Sequence, residues 1–262
     1  MINIPILAGV GDGLYYSVNG EGTPLVFIHP PLLTSANFRY QVEELSQKYM
    51  VITFDIRGHG RSAFSNQPIT YRLIANDIIQ LLDHLGIEKA IICGYSTGGT
   101  IVLEFLLTHK ERALGGIMIS GMSEVRDFYN EKRISIAKFL SKIKAKKLLG
   151  FAISWGNSNT IEIFKNMYRE SIKGDTRNIA QYYNFSLHYN CTQQLHTINT
   201  PILLIFGSKD KAFHPYAKIL REKLPQNELK IIDEKHQIPT KSAKQLNRII
   251  HTFVVKIHNS TK

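Results

Sequence analysis

Short apolar runs alternate with longer amphipathic stretches along most of the chain. PLVFIH (24–29) and MVITFD (50–55) are rich in β-branched and aromatic residues and are bounded by turn residues. That is the pattern of parallel strands buried on both faces. Residues 36–48 between them carry helical spacing. A longer helix is predicted over 71–85 through Ile74, Ile78, Leu81, Leu82 and Leu85, stopping at Gly86. KAIICG (89–94) then reads as a strand, 97–109 as a helix and GGIMIS (115–120) as another strand. PILLIFG (201–207), a helix near 215–223, LKIID (229–233) and a last helix near 240–257 complete the alternation. Residues 1–22 read as two short strands, with turn signals at Gly11-Asp12-Gly13 and Asn19-Gly20. Strands alternating with helices imply an α/β fold, a mostly parallel sheet of about eight strands covered on both faces.

Residues 122–196 break the rhythm, with helical patterns such as Ile136, Leu140 and Ile143 and no convincing core strand. The predicted organisation is therefore a core of 1–121 and 197–262 with a helical cap inserted at 122–196. The cap would lie over one end of the sheet, where open α/β sheets bind ligands beyond the carboxyl ends of their strands.

Composition narrows the class. A chain of 262 residues with 44% hydrophobic and 20% charged residues can bury one substantial core. No apolar run approaches the roughly 18–20 residues of a membrane-spanning helix. The N-terminus lacks the basic and apolar regions of a secretory signal. Two cysteines, Cys93 and Cys191, make no disulfide framework, so a cytoplasmic location is expected. The net charge of +11 is unusual, yet the cations are mostly dispersed and no nucleic-acid motif is present. The densest run is KIKAKK (Lys142, Lys144, Lys146, Lys147), with Lys132, Arg133 and Lys138 upstream. It is read as a solvated helix face.

The chemistry centres on Gly94-Tyr95-Ser96-Thr97-Gly98, which follows the strand 89–94 and opens the helix beginning near Thr97. A Gly-x-Ser-x-Gly pattern is weak alone, and its place at a strand-to-helix turn raises its value. Such a turn presents the hydroxyl at the sheet's edge and aims the Thr97 N–H at a developing oxyanion. A serine hydroxyl needs a base, and in this architecture the triad runs Ser, acid, His along the chain. Asp210 follows the strand 201–207, and His236 follows 229–233. His214 lies too near Asp210, while His251 and His258 belong to the terminal helix and its end. Glu124 is a weaker candidate for the acid.

These segments resemble the α/β-hydrolase family over nearly the whole chain. The resemblance rests on His29 with the following PPLLTS, on Asp55-Ile56-Arg57-Gly58-His59-Gly60-Arg61-Ser62, on the turn at Ser96, and on the Asp210 and His236 segments. It implies Ser96 as nucleophile, His236 as base and Asp210 as the group that orients it. Asp55, Arg57 and His59 are read as architectural. The family usually has His-Gly-x after the strand ending near residue 29, with x donating the second oxyanion N–H. Here Pro31 falls at that position, and proline has no N–H. Either the loop shifts so that Leu32 donates, or the hole has one fewer donor.

Tyr95, Trp155, Phe151, Phe164, Tyr182 and Tyr183 are candidates for an apolar acyl pocket, each weighed against a place in the cap core. Cys93 reads as a small buried apolar residue. The activity implied is hydrolysis of a small or medium carboxylic ester, with an apolar acyl substrate. The alternatives are C–C bond hydrolysis or acyl-lyase chemistry, slow-turnover ligand sensing, and a lipase that docks on membranes through its basic cap. No cofactor or metal is implied, because a triad is self-sufficient and no metal-ligand cluster is evident.

Overall fold

The computed structural model describes residues 6–7, 13–143 and 145–260. Its strands are β1 (Ile6–Leu7), β2 (Leu14–Asn19), β3 (Pro24–Ile28), β4 (Met50–Phe54), β5 (Ala90–Tyr95), β6 (Ala113–Ile119), β7 (Ile202–Gly207) and β8 (Asn227–Ile232). They form one eight-stranded sheet in the order β1-β2-β4-β3-β5-β6-β7-β8. β1 and β2 pair antiparallel, and every pairing among β3 to β8 is parallel. The two N-terminal strands match expectation. Of the turn expected at Gly11-Asp12-Gly13, the first two residues lie outside the described part of the chain.

Alternate residues of each inner strand feed two cores. Val26 and Ile28 of β3 belong to one, and Leu25 and Phe27 to the other. A 3₁₀ turn (Ser35–Phe38) leads into α1 (Arg39–Leu45), so the helix expected over 36–48 is shorter and starts tighter than its periodicity implied. α2 (Tyr71–His84) and α3 (Thr97–Thr108) follow. The apolar stripe of α2, Ile74, Ile78, Leu81 and Leu82, packs into the same core as Ile101 and Val102 of α3.

Between β6 and β7 the chain forms α4 (Phe128–Lys142), α5 (Lys146–Asn157), α6 (Ile161–Ser171) and α7 (Thr176–His188). The only pairing recorded in this segment among the described residues is an isolated bridge between Glu124 and Asn190. Each helix start that could be read as polar is capped. Asp127 accepts from Asn130 N, Thr160 from Ile163 N and Asp175 from Arg177 N and Asn178 N. Such caps contribute about 1 kcal/mol apiece. The KIKAKK run is not one solvated helix face, because it straddles the junction of α4 and α5. Lys142 and Lys147 are exposed, while Lys146 is half-buried and donates to the carbonyl of Gly174.

After β7 come α8 (His214–Lys223), α9 (Ile238–Lys241) and α10 (Ala243–Ser260). α8 joins the core of α2 and α3, and α10 joins that of α1 through Leu246, Ile250 and Phe253. The single helix expected near 240–257 is two. Ser242, at φ −130°, leaves helical geometry, and its carbonyl accepts the Leu246 N–H at 2.9 Å to begin α10.

Chain order places a switch point between β3 and β5. From β3 the chain moves outward to β4, then crosses to β5 and continues the other way. Open α/β sheets bind ligands in the crevice at such a point, outside the carboxyl ends of the strands.

The loop after β4 is held by charge. Arg57 donates Nε and Nη2 to the two carboxylate oxygens of Asp77 on α2, both at 2.6 Å and both buried. Asp55 Oδ1 accepts from Ser35 N at 2.8 Å, and its Oδ2 from Arg61 N at 2.9 Å. Removing one partner of a buried ion pair strands the other charge, which costs about 3–5 kcal/mol. Asp77→Leu is therefore expected to lower stability by about that amount in a denaturant titration. The double variant Arg57→Met/Asp77→Leu should recover most of the loss, and equal losses in both would show that the pair's charge is not the cause.

Candidate active site

Ser96 sits between the last residue of β5 and the first of α3, at φ 55° and ψ −122°. A non-glycine residue at positive φ is strained, by roughly 1–3 kcal/mol, and persists only when its surroundings hold it. Here the Ser96 N–H donates to Ile119 O on β6 at 2.8 Å, and Ser96 O accepts from Gly99 N at 2.9 Å. The bend also demands the flanking glycines. A Cβ on Gly94 would lie 2.1 Å from Gly98 O, and one on Gly98 would lie 2.2 Å from Ile28 O. Both obstacles are backbone and cannot swing aside.

Asp210 follows β7 and directly precedes a 3₁₀ turn (Lys211–Phe213), and His236 follows β8. The three residues named from chain order are buried and meet in one line. His236 Nδ1 lies 2.7 Å from Asp210 Oδ2, and His236 Nε2 lies 3.0 Å from Ser96 Oγ. A carboxylate only accepts, so Nδ1 carries the proton and the Nε2 lone pair faces the serine hydroxyl. Phe213 and Tyr95 flank the imidazole, with ring centroids at 4.3 and 5.3 Å. Burial is the main influence on His236 and pulls its pKa below the usual histidine value; the Arg133 cation adds to this, and Asp210 opposes it. The ring is thereby kept neutral and able to accept a proton.

The other candidates have different partners. His214 Nε2 lies 3.0 Å from Gly207 O, and the Glu124 carboxylate accepts from Asn190 Nδ2 at 2.6 Å. His29 accepts the Ile56 N–H at Nε2 and donates from Nδ1 to Pro30 O, both at 2.9 Å. Burial holds its pKa down to about 4, and that of His59 to about 3. Both are neutral scaffold histidines.

A cavity of about 370 Å³ opens above Ser96. Pro30, Pro31, Met122, Ile134, Leu149 and Ile153 give it apolar walls, with Thr97 beside the serine. Pro31 is therefore wall, and its carbonyl accepts the Tyr183 hydroxyl at 3.3 Å. The Tyr182 hydroxyl holds His29 O in the same way at 3.1 Å. Leu32 is buried in the core at φ 70°, and it is Leu33, the next residue, that lines the cavity. Thr97 is the first residue of α3, where backbone N–H groups have no helical acceptor. Tyr95 lines the cavity, and its hydroxyl donates to Asn157 Oδ1 at 2.9 Å.

The aromatic residues weighed as pocket walls divide. Tyr183 lines the cavity and Tyr182 is buried behind it. Phe151 and Trp155 are neither wall nor core. They lie on the outer side of α5, half exposed, because the packed face of that helix runs through Leu149, Gly150 and Ser154. Arg133, the only permanently charged residue among the described lining, was visible in the sequence only as part of a charge run. Its place near His236 depends on how α4 packs, for which the sequence has no signal.

A family model described as alpha/beta hydrolase fold matches residues 23–239. A putative carbamate hydrolase, RutD, from Azorhizobium caulinodans is 26% identical over 240 residues, covering 88% of this chain and 90% of its own. The solved enol-lactonase from Burkholderia xenovorans LB400 superposes with a TM-score of 0.85 at 19% identity, over 96% of this chain and 100% of that one. An esterase from Exiguobacterium antarcticum gives 0.83 at 20% identity, over 92% and 95%.

The pH dependence follows from the environment of His236. A base must be neutral, and a lowered pKa keeps it neutral to lower pH. The acidic limb of kcat/KM is expected to have its midpoint below about 6.5. Arg133→Met removes a cation that lowers this pKa, so the midpoint should move upward while Arg133→Lys leaves it nearly in place. A limb above 6.5, or one indifferent to Arg133, would contradict the assignment.

Proposed function

The chain belongs to the alpha/beta hydrolase fold family, and on that premise we propose that it is a serine hydrolase that cleaves small or medium carboxylic esters through an acyl-enzyme on Ser96. The observation that carries the proposal is the hydrogen-bonded line from Asp210 through His236 to Ser96 at the floor of an apolar cavity. Ser96 Oγ attacks the ester carbonyl carbon while His236 Nε2 takes its proton. Asp210 keeps the imidazole in the Nδ1–H tautomer and offsets the charge it acquires. The oxyanion is met by the Thr97 N–H and the positive end of α3, with the Leu32 N–H as the second donor. His236 then protonates the departing alkoxide, and water activated by the same nitrogen releases the acid and regenerates Ser96.

The helices 128–188 act in this reading as a cap within residues 122–196. They supply the upper wall through Ile134, Leu149 and Ile153 and tie down the Pro30-Pro31 loop through Tyr182 and Tyr183. A cavity of about 370 Å³ is near the small end for small-molecule sites, which supports a short or medium acyl group. Cys93 and Cys191 are both free and buried, which supports a reducing, cytoplasmic setting. No helix among the described residues is long and apolar enough to cross a membrane.

The test is steady-state hydrolysis of p-nitrophenyl esters from acetate to octanoate. Ser96→Ala should lose at least about 10⁴-fold in kcat, and Asp210→Asn about 10⁴-fold. A fluorophosphonate probe should label the wild type at Ser96 and leave Ser96→Ala unlabelled. Equal turnover in wild type and Ser96→Ala, or labelling elsewhere, would overturn the proposal.

A further inference from the structure

Apolar surface on this molecule is concentrated in one place. Of twelve exposed large hydrophobic residues among those described, nine lie between 128 and 161. On α4 the buried positions are Asn130, Ile134, Ala137 and Ser141. Phe128, Ile136, Phe139 and Ile143 recur on the opposite side at helical spacing, and Phe128 is 73% exposed. α5 repeats the arrangement, burying Leu149, Gly150 and Ser154 while Leu148, Phe151 and Trp155 face outward at 66%, 50% and 56% exposure. Both helices are therefore apolar on two sides, and packing covers the second side only in part, since Phe151 and Trp155 meet the Phe164 ring of α6 at 5.2 and 5.3 Å and stay half exposed.

The segment that contains these two helices also carries more than half of the net charge. Residues 128–157 hold seven Lys or Arg and a single acidic residue, Glu131, a net +6 in a chain of net +11. Lys132 lies within the outward stripe, 5.0 Å from the Phe128 ring centroid, and Lys142 and Lys147 are exposed at its edge. The stripe is also where the cavity opens, since Ile136 and Ala152 are both exposed and line it.

We propose that the outward face of α4 and α5 docks on an anionic lipid bilayer, with its aromatic and aliphatic side chains in the headgroup–acyl boundary and its lysines on lipid phosphates. Helices that lie in a membrane interface have this composition, with Trp, Phe and Leu on one face flanked by Lys or Arg whose stems bend toward the headgroups. Charge selects lipid over a second copy of this chain. A twofold pairing through this patch would set the exposed Lys132, Lys142 and Lys147 of the two copies against each other. Nucleic acid would meet the charge and leave the aromatic stripe unmatched. Docking does not depend on the reaction proposed above. If Ser96 is the nucleophile, it has a use, because a lipophilic ester would enter the cavity from the bilayer without crossing water.

Trp155 is the only tryptophan in the chain, so its emission reports the patch directly. The experiment uses Ser96→Ala, which separates docking from catalysis, with vesicles of phosphatidylcholine alone or mixed with phosphatidylglycerol. Anionic vesicles are expected to shift the emission to the blue and to carry the protein into the pellet. Neutral vesicles should do neither, and about 1 M salt should reverse the binding by shortening the Debye length to about 3 Å. Replacing Lys132, Lys142 or Lys147 by Gln should weaken apparent affinity about fivefold each. Phe139→Ser/Leu148→Ser should abolish the pelleting with an unchanged far-UV spectrum, since both side chains are exposed. The proposal is overturned by equal binding to neutral vesicles or by no binding to anionic ones. A blue shift that tracks protein concentration without lipid, with a dimer mass in sedimentation, would also overturn it.

Discussion

The turn at Ser96 constrains everything around it. A strand that points into the sheet's edge must become a helix within one residue, and that residue is held at φ 55°. Two conditions make this possible. The backbone is pinned by the Ser96 N–H on Ile119 O, and Gly94 and Gly98 leave room for neighbouring carbonyls to approach within what a Cβ would forbid. In return the hydroxyl projects beyond the strand ends, the start of α3 turns its free N–H groups toward the same spot, and β5 and β3 lie side by side at the switch point. The imidazole of His236 reaches the hydroxyl because β7 and β8 are the next parallel strands after β6 and end at the same edge. The strand that carries this residue, β5, lies in the buried middle of the sheet.

A second layer consists of buried polar groups that are nearly all paired. Asp55, Arg57, Asp77, His29 and Ser62 join the loops after β3 and β4 to α2 and to one another. Asn178 extends the network to α7, since its Oδ1 accepts from Ser65 N at 2.8 Å and its Nδ2 donates to Ser65 O at 3.0 Å. With Tyr182 and Tyr183 on His29 O and Pro31 O, α7 is anchored to the loops that form one wall of the cavity. An unpaired buried polar group costs about 1–3 kcal/mol, so this network resists any motion that would open it piecemeal. The contrast with α4 and α5 is physical. Their outer faces are aromatic, aliphatic and cationic, and the fold covers them only in part, through Phe164 of α6 against Phe151 and Trp155.

The strands were readable because burial on both faces leaves an uninterrupted apolar run, as in AIICGY and ILLIFG, which are buried throughout. α2 was readable because one side packs and the other is wet, so its period survives in the sequence. The break at Ser242 was not, because Leu246, Ile250 and Phe253 continue the apolar period in phase and hide a change of backbone direction. Phe151 and Trp155 depart from expectation for the opposite reason. Large aromatic residues predict burial, and α5 turns them outward because Leu149 and Ser154 occupy its packed side.

By itself, the sequence determined the alternation of elements, the family to which the chain belongs, and which serine, acid and histidine stand at the ends of their strands. Each of these is written in local pattern and chain order. Only the tertiary structure decided that the three side chains meet within hydrogen-bond distance, that Pro31 is a wall of the cavity, that Arg133 lines the same cavity as His236, and that an apolar, cationic stripe borders the opening. Those facts depend on which side of each helix packs against its neighbours. Helical periodicity states how residues share a face, and only the packing selects the face that is buried.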